Sequence, residues 1–339
     1  MKNVRIGIDG DNGDTTKEGS ATERIVQAVS NVSEQNPDIN FLLVGNKEAI
    51  NDCKIDIPSS ISIVNSSAQY SPDTEIRRPV EGSSLYLLVD AIKSSEIAGF
   101  FSIGGTDKVG VESLRLDRLM IGKKKVKPTL IAEMPSVKGT FLFTDVGATT
   151  QRSNQRSYEK AIENLALEIY YQGLMTTAYA KTCLGIEKPR LGVLCNGTES
   201  YKGSDLAIKT VEIFKSAIEE KNLGRLIDFR GRVEPKYATR GNLDILLTDG
   251  FAGNLVLKFL EAELELIARS CEEGAYVVKK NFNLDDYNCG MFAGLQGIIG
   301  KAHGTSTIKA ISKGIERTVG FVKKDVTTKI KETLEQYPV

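Results

Sequence analysis

Tryptophan is absent from this 339-residue chain, and histidine occurs once, at His303. A single histidine excludes HExxH metalloprotease chemistry and argues against a structural zinc site. The five cysteines (Cys53, Cys183, Cys195, Cys271, Cys289) are far apart and form no CxxC pair. Their odd number points to free thiols in a reducing compartment. Net charge is also missing, because Lys plus Arg and Asp plus Glu both total 44. A nucleic acid backbone selects a strongly basic face, so nucleic acid is not expected as a partner. No apolar run is long enough to span a bilayer, and Met1 to Val4 leads straight into a strand without a signal peptide. A cytoplasmic location is the expectation.

Familiar nucleotide and hydrolase motifs are missing as well. After the first strand the glycines are Gly7, Gly10 and Gly13, which is not GxGxxG, and Val44-Gly45-Asn46 lacks the acidic residue that holds a ribose. GxxxxGK[ST] and GxSxG do not occur.

What is present is alternation. Val4–Asp9, Phe41–Gly45, Phe100–Ile103, Thr140–Val146, Leu191–Leu194, Leu243–Thr248 and Ile298–Lys301 read as short strands between stretches of helical periodicity. Ser20-Ala21-Thr22-Glu23 has the form of a capping box opening a helix with Ile25, Val29 and Val32 on one face. Ser157 to Cys183 predicts a long helix, interrupted only by Gly173. Ile308, Ile311, Ile315, Val319, Val322, Val326, Ile330 and Leu334 form one apolar stripe, read as core or dimer contact. The pattern predicts an α/β chain with a mostly parallel sheet and helices on both faces. No linker divides it, so residues 1–339 are expected to form one unit of two interwoven lobes.

Six of the predicted strands end in a glycine-bearing loop. The loops are Asp9–Asp14, Ser102–Lys108, Asp145–Thr150, Asn196–Ser204, Thr248–Asn254 and Lys301–Ser306. In a parallel sheet all such loops lie on one side, where ligands bind. Glycine lets the backbone approach an anion, and a following helix offers unpaired N–H groups. Lys202 and Lys301 stand beside two of the loops. The pattern predicts a phosphate-type anion site.

Thr248-Asp249-Gly250-Phe251-Ala252-Gly253-Asn254 with Leu257-Lys258, and Gly300-Lys301-Ala302-His303-Gly304-Thr305-Ser306, resemble stretches of the phosphate acyltransferases of bacterial phospholipid synthesis. Lys138-Gly139, Thr144 to Ala148, Gly197-Thr198-Glu199 with Lys202-Gly203, Arg77-Arg78 and Ser83-Ser84 follow in the family's order. The resemblance implies an isocitrate/isopropylmalate dehydrogenase-like fold with a cleft between two lobes. It also implies transfer of a fatty acyl group from acyl carrier protein to inorganic phosphate, without metal or dissociable cofactor. A homodimer is implied, and the short stretch from Glu261 to Asn288 implies at most weak peripheral membrane contact.

On that resemblance, Gly104, Gly105 and Thr106 with Gly253 and Asn254 would hold phosphate, and Lys202 or Lys301 would balance its charge. Thr198, Asp249 and Gly304 join the substrate site, and His303 would polarise the carbonyl or steady the leaving thiol. Arg77, Arg78, Lys123, Lys124 and Lys125 would dock an acidic carrier, unless the lysine run is simply a solvated loop. Each role has a structural counterpart. His303 would bond nearby backbone, Asn254 or Asp249 would cap a helix, and the lysines would be solvated. The chain departs from the family at Asp9–Asp14, where a DAMGGD-like loop is usual, at Gly105 for Asn and Asp107 for Gly, and at Thr149. These departures keep two alternatives open, a non-catalytic paralogue that binds acyl groups or carrier and an NAD-dependent decarboxylating dehydrogenase.

Overall fold

The computed structural model describes residues 4–70, 78–147, 158–199, 202–273, 276, 287 and 289–339. The first elements are β1 (Val4–Asp9), α1 (Ala21–Gln35), β2 (Ile39–Gly45), α2 (Lys47–Asp52), β3 (Ile61–Asn65), α3 (Ser84–Lys93), β4 (Gly99–Ser102) and α4 (Thr106–Ser113). Next come β5 (Met120–Ile121), β6 (Lys124–Lys125), β7 (Thr129–Ser136), β8 (Gly139–Thr144), α5 (Tyr158–Leu184), β9 (Arg190–Leu194) and α6 (Asp205–Lys221). They are followed by β10 (Asp228–Val233), α7 (Pro235–Thr239), β11 (Ile245–Leu247), α8 (Gly250–Ser270), β12 (Gly290–Ala293) and β13 (Ile298–Lys301). The last helices are α9 (Ile308–Lys323) and α10 (Val326–Gln336). Residues 1–117 and 288–325 form one compact unit, and residues 118–287 and 326–339 form another.

In the first unit the strand order is β12-β13-β4-β1-β2-β3. All neighbours are parallel except β12, which runs antiparallel to β13. Successive side chains of a strand point to opposite faces, and both faces here are covered. Ile6 and Ile8 of β1 pack with Ile25 and Val29 of α1 and Ile311 and Ile315 of α9. Gly7, between them, faces Leu88 of α3 and Phe100 of β4. Burying one such Ile or Phe contributes about 1.5–3 kcal/mol. At the start of α1 the expected capping box forms. Ser20 Oγ accepts from Glu23 N at 3.2 Å, and Glu23 Oε2 accepts from Ser20 N at 2.7 Å.

The second unit orders its strands β10-β9-β11-β8-β7, parallel except for β7 against β8. Its axis is α5, buried from Ala166 through Ala180 apart from Leu167 and Glu168. Gly173 keeps a bare backbone there because a Cβ would come within 2.7 Å of Phe214 and 2.8 Å of Leu247. Tyr170 and Tyr171 donate their hydroxyls to the carbonyls of Tyr337 and Val339, tying the end of the chain to α5.

The α/β class and the mostly parallel sheet stand as expected. Three hairpins were not anticipated, β5–β6, β7–β8 and β12–β13. The C-terminal stripe is core, but not one helix: it breaks at Asp325, whose φ is 49°, and divides between the two units.

Candidate active site

The loops expected to carry chemistry follow parallel strands, so within each unit they share the carboxyl edge of the sheet. In the first unit this edge is organised by two buried groups. The Asp9 carboxylate accepts from Asn12 Nδ2 at 3.0 Å, Ser84 Oγ at 2.7 Å and Ser102 Oγ at 2.5 Å. Ser102 Oγ in turn accepts from Gly104 N at 2.9 Å, which fixes the turn into α4. Beside it, Asp11 accepts from Asn46 N at 2.6 Å and Ser66 Oγ at 2.5 Å. Burial raises the Asp11 carboxyl above its ordinary value, and those hydrogen bonds oppose the rise.

Arg24 is the second organiser. It is fully buried on α1 and donates to the carbonyls of Asp14, Gly304 and Ser306. Asp14 N also donates to Gly304 O at 3.0 Å. Burial pushes the Arg24 guanidinium down, with Glu18 and Asp14 pulling it back up. One side chain thus fastens the loop after β1 to the loop after β13. On the latter, Lys301 is buried at 8% exposure and donates from Nζ to Ala302 O at 3.0 Å. It is not a solvated surface lysine. His303 is half-buried, and its carbonyl accepts from Ser306 N in a tight turn.

Gly104 is buried, and Gly105 is the N-cap of α4 without any side-chain cap bond. Gly104, Gly105 and Thr106 therefore present a bare helix start of the kind that suits an anion. Asp107 works against this. Its Oδ1 lies 2.5 Å from where a Cβ on Gly105 would stand, so a carboxylate already sits at that helix start.

In the second unit, Asp145 is fully buried and accepts from Leu130 N at 3.0 Å and Gly147 N at 3.2 Å. Asp249 caps α8, accepting from Phe251 N and Ala252 N at 3.0 Å. The helix thus starts before Asn254, and capping belongs to Asp249 alone. Asn254 lies in the second turn, partly buried, its Cγ 3.4 Å from where a Cβ on Gly147 would be. Gly253, on the same turn, lies directly against the Asp145 carbonyl. Thr198 is exposed, and Lys202 pairs with Glu199 at 3.2 Å, which holds the Glu199 carboxyl below its usual value after that residue's own backbone N–H.

Gly104, Gly105, Thr106, Lys301, His303 and Gly304 thus share the edge of one unit, and Thr198, Lys202, Asp249, Gly253 and Asn254 that of the other. Lys123, Lys124 and Lys125 are exposed on the β5–β6 hairpin of the second unit, and Arg78 is exposed in the first. Arg77 and Thr149 lie outside the described residues. Arg24 was not foreseen: beside the apolar face of an amphipathic helix, a charged residue reads as solvated.

The model of the family described as "Fatty acid synthesis protein" matches residues 4–329. The chain belongs to that family. Curated relatives in it include a phosphate acyltransferase of Nitratiruptor sp. and one of Brevibacillus brevis. Each is 29% identical, with 98% of this chain and 98% of the relative covered. The expected resemblance to phosphate acyltransferases, an acyltransferase enzyme family, holds across the chain. Among solved structures, a branched-chain phosphotransacylase from Enterococcus faecalis shares the fold. It has a TM-score of 0.58 and 14% identity, covering 94% of this chain and 98% of its own.

Proposed function

We propose that the protein transfers a fatty acyl group from an acyl thioester, carried by acyl carrier protein or coenzyme A, to inorganic phosphate. The product is an acyl phosphate for phospholipid synthesis. The observation that carries this reading is family membership over residues 4–329, with relatives that are phosphate acyltransferases. The bare start of α4 and the buried ammonium of Lys301 support it as places for an anion and its countercharge.

A phosphate oxygen attacks the carbonyl carbon, the tetrahedral oxyanion collapses, and the C–S bond breaks to release the thiol. Phosphate is already anionic and a thiol leaves readily, its ordinary pKa being about 8.5, so no strong base is needed. Positioning and oxyanion stabilisation carry the rate. In the first unit Gly104, Gly105 and Thr106 hold phosphate with Lys301 as charge partner, and in the second Gly253 and Asn254 offer anion contacts with Lys202 as theirs. His303 polarises the carbonyl or steadies the thiol. Thr198 and Gly304 line the substrate. Asp249 serves through the start of α8.

Arg78 and Lys123 to Lys125 dock the acidic carrier in this reading. A homodimer is supported by α8, where Phe251, Leu255 and Phe259 recur every fourth residue and stay exposed. Among the described residues no helix is long and apolar enough to cross a membrane. Weak peripheral contact and a cytoplasmic location complete the reading, as does the isocitrate dehydrogenase-like form of the fold.

One observation favours a second reading. Asp107 at the α4 start would repel phosphate, as expected of a paralogue that binds acyl groups or carrier without turnover. The deciding experiment follows thioester loss with and without phosphate, using carrier-bound and coenzyme A donors. Phosphate-dependent loss supports acyl transfer, and tight carrier binding without loss supports the paralogue.

A further inference from the structure

A groove of about 760 Å³ runs along β10 in the second unit. It lies apart from the residues assigned above except for Thr198, which contributes to its wall. Four cations line it: Arg190, Lys215, Arg230 and Arg232. Arg190 is committed to Asp244, with Nε at 2.9 Å and Nη2 at 2.7 Å from its oxygens. Arg230 is exposed and pairs with Asp228 at 2.5 Å. Lys215 and Arg232 have no ion-pair partner among the described residues. The groove therefore keeps an excess of positive charge. Two aromatic rings line it as well. Phe229 is half-buried and stacked on Phe214 at 4.9 Å, and Tyr237 is exposed.

The shape and edge of the groove narrow the occupant. β10 is an edge strand, yet its ladder with β9 is interrupted between Phe229 and Arg232, where Gly231 has φ 65°. A bulge of this kind twists an edge away from further strand pairing. An added peptide strand therefore fits poorly. A volume of this size suits a compact ligand, and excess cations beside aromatic rings suit several phosphates joined to a flat base.

We propose that the groove binds a nucleotide head group bearing several phosphates, the chemistry found at the far end of a coenzyme A thioester. This rests on the acyl-transfer reading for its purpose, but not for its binding. Thr198 lines the groove, and Arg232 Cδ lies 3.7 Å from where a Cβ on Gly203 would stand. Thr198 and Gly203 both belong to the loop after β9 that carries Lys202. A nucleotide held here directs its pantetheine arm past that loop.

The test is calorimetric titration of the full chain with coenzyme A, ADP, pantetheine 4′-phosphate and inorganic phosphate. Coenzyme A should bind at least about tenfold more tightly than pantetheine 4′-phosphate, a difference of about 1.4 kcal/mol. Charge reversal by Lys215→Glu with Arg230→Glu should weaken coenzyme A by at least about tenfold. The melting temperature, and phosphate-dependent turnover of a short acyl thioester lacking the nucleotide, should stay unchanged. If that variant is unstable, Lys215→Gln with Arg230→Gln should show the same loss to a smaller degree. ADP binding as tightly as coenzyme A also supports the site, with a free nucleotide as its source. Equal coenzyme A affinity in wild type and both variants would overturn the proposal, as would binding of pantetheine 4′-phosphate as tight as coenzyme A. Charge-sensitive coenzyme A binding without turnover of any thioester would leave the groove standing and remove the acyl-transfer reading.

Discussion

Gly253 and Asp145 are in direct backbone contact: the α-carbon of one faces the carbonyl oxygen of the other so closely that no side chain fits between them. This contact sets the start of α8 against the end of β8 and seats Asn254 beside Gly147. Gly253→Ala should therefore push the helix start away, costing about 1–3 kcal/mol as overpacking. Chemical denaturation measures the loss. An unchanged midpoint would mean that the helix start is free to shift.

His303 and Lys301 share a loop but should fail differently. Stabilisation realised only in the transition state acts on turnover, whereas a countercharge already acts on bound phosphate. His303→Ala should lower turnover by roughly 100-fold or more, and His303→Gln should retain more activity than Ala. Lys301→Ala should chiefly raise the phosphate requirement. Kinetics with melting temperatures for all three variants separate these effects from bracing, which would lower stability and phosphate affinity together.

Asp107 offers a gain of function. Removing a carboxylate from a helix start that receives an anion relieves about 0.3–1 kcal/mol of repulsion. Asp107→Asn should lower the phosphate KM roughly two- to fivefold, while helix stability falls slightly for the same electrostatic reason. An unaltered phosphate KM would place phosphate elsewhere.

Asp11 makes stability depend on pH. Burial leaves its folded pKa above the ordinary 3.8, so the folded chain holds this proton more tightly than the unfolded chain. The resulting stability is complete below the unfolded value and is lost as pH rises through the folded one. Asp11→Asn removes that dependence while an amide keeps partners for Asn46 N and Ser66 Oγ. The stability advantage of wild type over this variant should shrink as denaturation is followed from about pH 3 to about pH 7. A constant difference would mean that Asp11 is as well solvated folded as unfolded.

Lys124 and Lys125 test carrier docking. Reversing both to Glu should weaken use of a carrier-bound donor and spare a small thioester. Salt should mimic the effect in wild type, since exposed charges are screened over about 10 Å at 0.1 M. Equal loss with both donors would count against docking.

Much of this architecture was legible because it rests on local rules. The Ser20–Glu23 box, the apolar strands and the glycine loops each announce themselves within a few residues. Strand direction does not. Nothing in Thr140 to Val146 reveals that β7 returns antiparallel beside β8 through Val137 and Lys138, without an Asn-Gly turn. The loops of the candidate site were legible by their glycines, but not by what holds them. Arg24 acts on carbonyls 280 and 282 residues away, and no spacing records such a contact. The burial of Lys301 is equally a property of packing rather than of sequence. Asp249 and Asn254 were both plausible caps, and only the helix start chose between them.

The division of the chain has a consequence for its birth on the ribosome. β1 to β4 emerge early, but their sheet also needs β13 and α9, which arrive roughly 200 residues later, some 10–40 s at usual rates of synthesis. Until then the faces of Ile6, Ile8 and Phe101 that α9 will cover stay open. The nascent chain should therefore recruit chaperones through its first hundred residues, and a chain arrested before Ile308 should remain bound to them.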